Sequence, residues 1–311
     1  MITPEVSICC ITYNHAKYIR DALDGFLMQK TTFPIEIIIH DDASTDGTAD
    51  IIREYEAKYP DIIKPIYQTE NQYSKGVKIF LSIVPLAKGK YIAVCEGDDF
   101  WTDPKKLQIQ YDFMESHPDY SLCMHGKYHL DCFKKRYYPL PFETISEDGE
   151  KYAYDLIMDK TGHHVQTLLL RTSILYSVFD DIKRDCTNAP MSDTQLMYHL
   201  ALHGKVKFIS RRMATYRLAA GSATFGKDGV KKLFFQKAHA AKLAMLVNSG
   251  HADWAEECEK LKNSSSQTAV LPSNISFFGF LRLWVGKCHY SLFKLKARIK
   301  FEWYMMTRQR G

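Results

Sequence analysis

Two places in this chain carry carboxylates close enough in sequence to act together. Asp41 and Asp42 follow one short apolar run, and Glu96, Asp98 and Asp99 follow another. Acids gathered in an empty site repel one another, which raises some of their pKa values. A hard divalent cation relieves that repulsion. Mg²⁺ or Mn²⁺ is typically held by one or two carboxylates together with ligand phosphates, not by a closed protein cage. The competing reading is local, because acids in such loops also cap the next helix or close an Asx turn.

For these acids to meet, the apolar runs before them must be neighbouring strands that end at one edge. Residues 6–11, 35–40 and 91–95 read as buried strands and 63–68 as a weaker one. Helices are expected over 17–29, 49–59 (with Asp46 or Thr48 as N-cap) and 75–87. This β-α-β-α order with continuously apolar strands predicts a mostly parallel sheet covered on both faces. Ligands of such sheets collect beyond the carboxyl ends of the strands, where the acidic loops fall. Further along, a helix is expected from Pro104 to His117, a strand over 120–130, another over 165–170, and a helix over 192–203. Paired helices are expected over 229–248 and 251–262, with a serine-rich linker beginning at 263.

The chain has 311 residues, 46% hydrophobic and 25% charged, which is ample for a core and argues against disorder. Its net charge of +5 is unevenly placed: residues 276–311 hold eight Lys or Arg against the single Glu302. A basic patch confined to one segment points to an anionic surface and not to a nucleic-acid groove across the fold. That segment interleaves its cations with Phe277, Phe278, Phe280, Trp284 and Trp303 and lacks ~20 consecutive apolar residues. It reads as an interfacial amphipathic tail; the alternative is packing on the main domain or at a dimer interface. Residues 1–5 carry no signal-type pattern, so the expected location is the cytosol, peripheral to the inner face of the plasma membrane. Eight cysteines without a C-x-x-C pair agree with a reducing compartment. Cys123, His125, His129 and Cys132 offer zinc-type donors, but the thiols lack the close pairing of a tetrahedral site, and core packing is the preferred reading.

Residues 6–14, 37–48 and 89–99 resemble, in order and spacing, the family-2 glycosyltransferases of GT-A fold. The resemblance is dense over 5–120, thinner to about 225, and fades beyond. It implies an α/β, Rossmann-like catalytic domain over 1–225, with a donor-binding half (about 1–120) and an acceptor half (about 121–225). A helical extension (226–262), a linker (263–275) and the tail (276–311) would follow. It also implies an inverting transfer from a nucleotide diphosphate sugar, UDP-linked in the commonest case, to a glycan or lipid-linked hydroxyl in bacterial surface polysaccharide synthesis.

On that pattern the loop Thr12, Tyr13, Asn14 meets the nucleotide, Tyr13 lying against the base and Asp42 bonding it. Asp98 meets the ribose, and Asp99, with Asp98 and Glu96, holds the Mn²⁺ or Mg²⁺. Glu96 stands where the family usually has aspartate. The family's catalytic base sits near a helix start in the second half, where Asp193 is the best match and Asp185 the rival. Among the cations that could meet phosphate, Arg217 ranks first for its planar fork, ahead of Lys75, Lys78, Arg211 and Arg212. His163 and His164, before an apolar strand, and Trp101 are candidate acceptor contacts. A nucleotidyltransferase of similar fold would normally show a Gly-rich phosphate loop after the first strand, and Thr12-Tyr13-Asn14-His15 is not one. A non-catalytic sugar-nucleotide-binding protein is the third reading, which the joint presence of Asp42, Asp98, Asp99 and Asp193 disfavours.

Overall fold

The computed structural model describes residues 3–133, 136–139, 148–158, 164–218 and 228–265. His163, the tail 276–311 and all but the first residues of the expected linker lie outside these.

β1 (Val6–Thr12), β2 (Ile35–Asp41), β3 (Ile63–Tyr67) and β4 (Tyr91–Glu96) form a parallel half-sheet in the order β3-β2-β1-β4. Its register decides where the chemistry falls. Thr12 lies opposite Asp41, and Ile11 opposite Glu96, so both acidic loops leave the sheet at one edge. Beyond β4 the sheet changes character. β8 (Leu169–Arg171) runs antiparallel to β4 and to β6 (Tyr120–Asp131). β9 (Lys205–Leu218) lies parallel to β6 and antiparallel to β5 (Phe100–Trp101), while β7 (Arg136–Pro139) pairs with β6. The sheet is thus mixed, with its parallel half where continuous apolar strands predicted it.

Strand side chains alternate between faces, so each parallel strand feeds two cores. Val6, Ile8 and Cys10 join Ile37, Ile39, Tyr91 and Ala93 on one face, whereas Cys9, Ile38, Ile92 and Val94 join the other. The first face is covered by α1 (Ile19–Leu27), α2 (Thr48–Lys58) and α4 (Lys106–Ser116) through Leu23, Phe26, Ile52 and Leu107. The second is covered by α3 (Ile79–Ile83), α5 (Gly149–Ile157), α6 (Thr172–Ser177), α7 (Phe179–Cys186) and α8 (Asp193–Leu202). α9 (Asp228–Asn248) and α10 (Ala252–Ser265) add Met245, Leu246 and Cys258 to that second core. Burying one such side chain contributes about 1.5–3 kcal/mol.

Three expectations need correction. The helix over 75–87 is broken, because Gly76 turns at φ 85° after a 3₁₀ turn at Tyr73–Lys75 and Pro85 lies in another at Val84–Leu86. The strand over 165–170 begins as a 3₁₀ turn, Val165–Thr167, and only then becomes β8. α10 continues to Ser265, inside the stretch expected to be linker. Among the described residues no helix is long and apolar enough to cross a membrane.

Candidate active site

The loops after β1 and β2 are tied together by side chains accepting from main-chain N–H groups. Ser44 Oγ accepts from Asn14 N at 2.8 Å, Thr48 Oγ1 from His15 N at 2.8 Å, and Asp46 Oδ2 from Ala16 N at 2.9 Å. Asn14 Oδ1 returns the link by accepting from Thr45 N at 2.8 Å. Asn14 adopts φ 55°, a left-handed conformation asparagine tolerates better than most residues. The N-cap of α2 is Gly47 and neither Asp46 nor Thr48 as expected; Asp46 instead accepts from Thr48 N at 3.0 Å across the turn that leads into the helix.

Asp42 is nearly buried, and its two carboxylate oxygens accept from Gln72 N at 2.7 Å and Tyr73 N at 3.0 Å. Its side chain is therefore fixed against the 3₁₀ turn Tyr73–Lys75, each oxygen keeping a second lone pair. Tyr13 and Tyr73, on the two loops that flank it, are exposed by 44% and 55%. Two aromatic rings free to meet a base thus border this acid; Tyr73 was not expected, because nothing in the sequence links its amide to Asp42.

The turn after β4 gathers the acids. Ligand atoms of Glu96, Asp98 and Asp99 lie within 4.8 Å of one another, the only such His, Cys, Asp or Glu group among the described residues. Cys123, His125, His129 and Cys132 do not converge in this way. Gly97 permits the turn: a Cβ there would lie 2.5 Å from Thr12 Oγ1 and 3.0 Å from His15 Nδ1. Thr12 Oγ1 and His15 Nδ1 are themselves hydrogen-bonded at 3.1 Å. Burial, with the charges of Asp98 and Asp193, pushes the Glu96 carboxyl up to about 8. Burial and the charges of Asp98 and Glu96 push Asp99 well above the usual carboxylate range. Asp99 Oδ2 is buried without a hydrogen-bond partner. Clustered, desolvated carboxylates with an orphaned oxygen fit a hard divalent cation, and Mn²⁺ or Mg²⁺ would be held here by Asp99, Asp98 and Glu96.

Arg217, near the end of β9, braces this turn. Its N–H donates to Asp99 Oδ1 at 2.8 Å and Nη1 donates to the Asp98 carbonyl at 2.9 Å. Nη2 pairs with Asp21 of α1, and the guanidinium lies over the Phe100 and Tyr18 rings at 4.4 and 5.0 Å. The fork expected to meet phosphate is engaged with protein groups and only 5% exposed.

Asp193 opens α8 and accepts from Thr194 N at 3.0 Å, and burial raises its pKa. Its charge is among those acting on Glu96, so the start of α8 lies within electrostatic reach of the turn after β4. Asp185 is differently placed: its oxygens lie 2.8 Å from His199 Nε2 and 3.1 Å from Arg184 Nε. That buried pair joins α7 to α8 and leaves Asp185 poorly disposed to take a proton from a substrate.

The remaining candidates separate. Lys75 pairs with Glu70, Lys78 donates to the Ala189 carbonyl before α8, Arg211 pairs with Asp103, and Arg212 lies 5.8 Å from the Tyr128 ring centre. Trp101 is a correction: it is fully buried, packs edge-on against Phe26 at 4.8 Å and donates from Nε1 to the Gln166 carbonyl at 2.9 Å. Such a side chain is core, not an acceptor contact. His164 is ring-packed on Tyr216 at 4.0 Å. Lys127 was missed, although it is buried and feels the Asp99 charge; burial draws it down to about 8.

Comparison with known proteins adds the following. The model of glycosyl transferase family 2 matches residues 7–179. An uncharacterized protein of Mycobacterium bovis is 38% identical over 222 residues, 68% of this chain and 58% of its own length. A Bacillus subtilis protein, named provisionally as a teichuronic acid biosynthesis glycosyltransferase, is 37% identical over 111 residues, 36% of this chain and 42% of its own. The chain thus matches little more than half the length of the Mycobacterium bovis protein and less than half that of the Bacillus subtilis one. The structure of S. aureus TarS 1-349 in complex with UDP-GlcNAc superposes with a TM-score of 0.57 at 17% identity, covering 84% of this chain and 73% of that one. That likeness concerns the fold.

Proposed function

Given that this chain belongs to glycosyl transferase family 2, we propose that it moves a sugar from a nucleotide diphosphate donor to a glycan hydroxyl in bacterial polysaccharide synthesis, with inversion at the anomeric carbon. The observation that carries the reading is the gathering of Glu96, Asp98 and Asp99 in the turn after β4, with Asp193 within electrostatic reach of Glu96. A divalent cation bound by the first three would neutralise charge on the departing diphosphate.

The protein's own groups do the rest. Tyr13 and Asp42 receive the base, while Arg217 keeps Asp98 and Asp99 in place. Asp193 takes the proton of the acceptor hydroxyl as its oxygen bonds the anomeric carbon and the bond to the diphosphate breaks. A raised pKa suits that task, since a general base works best near the ambient pH. Attack on the face opposite the leaving group, with a carboxylate as base and not as nucleophile, inverts the centre. A UDP-linked donor is favoured by the family resemblance, and the TarS structure, with its UDP-GlcNAc, is compatible with it.

Asp99→Asn tests the core of the reading. Metal-dependent binding of UDP, read calorimetrically with Mn²⁺, should vanish along with sugar transfer or donor hydrolysis; undiminished binding would sink it. The basic aromatic segment 276–311 supports an anionic membrane as partner. Sedimentation of the full chain with anionic vesicles, weakening as salt rises, is the expected result, and indifference to vesicles removes this part of the proposal.

A further inference from the structure

Gln166 sits in the 3₁₀ turn just before β8. β8 pairs antiparallel with β4, Leu169 opposite Ala93 and Leu170 opposite Ile92. The turn itself packs against β4, β6 and β9. Its side chain is 0% exposed, yet neither Oε1 nor Nε2 has a hydrogen-bond partner. Thr215 is also 0% exposed with an unpartnered Oγ1. It lies opposite Phe100, which follows Asp99 directly, and two residues before Arg217, whose amide holds Asp99. Gln166 is fixed to the same corner through its carbonyl, the acceptor for Trp101 Nε1.

Unsatisfied buried amides and hydroxyls are costly, and each one at such a corner asks for an explanation. The chemistry of the set narrows what would satisfy it. A carboxamide offers one donor end and one acceptor end, and a hydroxyl offers both. Adjacent hydroxyls of a pyranose, each able to donate and accept, complement that set. A phosphate would face Gln166 Oε1 and three carboxylates, and an apolar group would leave every polar atom unmet.

We propose that Gln166 and Thr215 bond hydroxyls of the transferred sugar and so help decide which sugar the donor carries. This rests on the glycosyl-transfer reading above. Donor and acceptor sugars share the chemistry, but the place of Thr215 opposite Phe100, directly after Asp99, and of the Gln166 turn against β4 favours the donor.

The test uses the full chain, parent and variants Gln166→Leu and Thr215→Val, with Mn²⁺. UDP and GDP are titrated calorimetrically beside UDP-glucose, UDP-galactose, UDP-N-acetylglucosamine and GDP-mannose. For whichever donor the parent prefers over its bare nucleotide, each variant should lose about ten-fold of that preference. Affinity for the bare nucleotide should stay within about two-fold and Tm should hold or rise, because apolar isosteres relieve unsatisfied groups. Thr215→Ser, which keeps the hydroxyl, should keep the preference. Parental preference in both apolar variants overturns the proposal, with or without a rise in Tm. Unchanged donor preference with weakened acceptor use overturns the donor assignment in favour of the acceptor sugar. A parent that binds no nucleotide refutes the glycosyl-transfer reading itself, and a parent that binds nucleotides without preferring any sugar refutes only this one.

Discussion

The backbone N–H of Arg217 donates to Asp99 Oδ1 at 2.8 Å. The end of β9 thereby holds an acid of the turn after β4, and the Arg217 guanidinium locks the pair by reaching the Asp98 carbonyl and Asp21. Groups that orient metal ligands typically change metal affinity 10–100-fold when removed. Arg217→Lys should accordingly weaken Mn²⁺ binding about ten-fold while leaving metal-free UDP affinity unchanged. A fall in metal-free affinity would instead mark Arg217 as a direct phosphate ligand.

Asp193 and Asp185 are separated by what each touches. Asp193→Asn should lower kcat by ~10²-fold or more with donor affinity intact, since it removes a base and not a nucleotide contact. Asp185→Ala leaves the buried His199 Nε2 without its partner, while Arg184 keeps Asp181, and should destabilise the fold by about 1–3 kcal/mol. Urea unfolding beside steady-state kinetics distinguishes these outcomes, and near-parental turnover in Asp193→Asn would remove it as the base.

Trp101 packs between Phe26 and Lys106, whose Nζ lies 4.1 Å from its ring centre. Trp101→Ala should cost about 3 kcal/mol or more through the cavity it leaves. If the variant unfolds at the parental urea concentration and only acceptor KM changes, the tryptophan is a surface contact after all.

Burial draws the Lys106 ammonium from its ordinary 10.5 down to about 7. Between those values the unfolded chain binds more protons at this residue than the folded one, so stability climbs as pH rises through that window. The cost is largest at and below about pH 7 and disappears above about 10.5. Lys106→Met should melt higher than the parent near neutrality, the two curves converging toward pH ~10. A constant offset across the range would show that the lysine titrates normally.

The parallel half-sheet was legible because β1, β2 and β4 are almost wholly apolar and end in polar loops, acidic after β2 and β4. Asp98 and Asp99 could be read for the same reason. β9 was not, because Lys205, Lys207, Arg211, Arg212 and Arg217 interrupt its alternation and only parts of it are buried. The fork of Arg217 was visible as a residue type, but its partner Asp21 lies 196 residues away and nothing local joins them. Trp101 beside an acidic loop resembled a sugar contact until packing against α1 removed it from the surface. Gln166 and Thr215 gave no signal, since their interest lies in lacking partners within the folded chain.

The loop after β1 has a consequence for how a ligand's charge is met. Asn14, His15 and Ala16 give their amides to Ser44, Thr48 and Asp46. Those three N–H groups cannot form the main-chain nest that cradles phosphate in many nucleotide sites. Under the proposed function, a diphosphate arriving beside them would depend on its accompanying cation to answer its charge. Nucleotide and cation then tighten one another by the same factor, as thermodynamic reciprocity requires. On the proposed function, the free concentration of divalent ion would become a throttle on donor capture, set outside the protein and felt through two loops whose amides are already engaged.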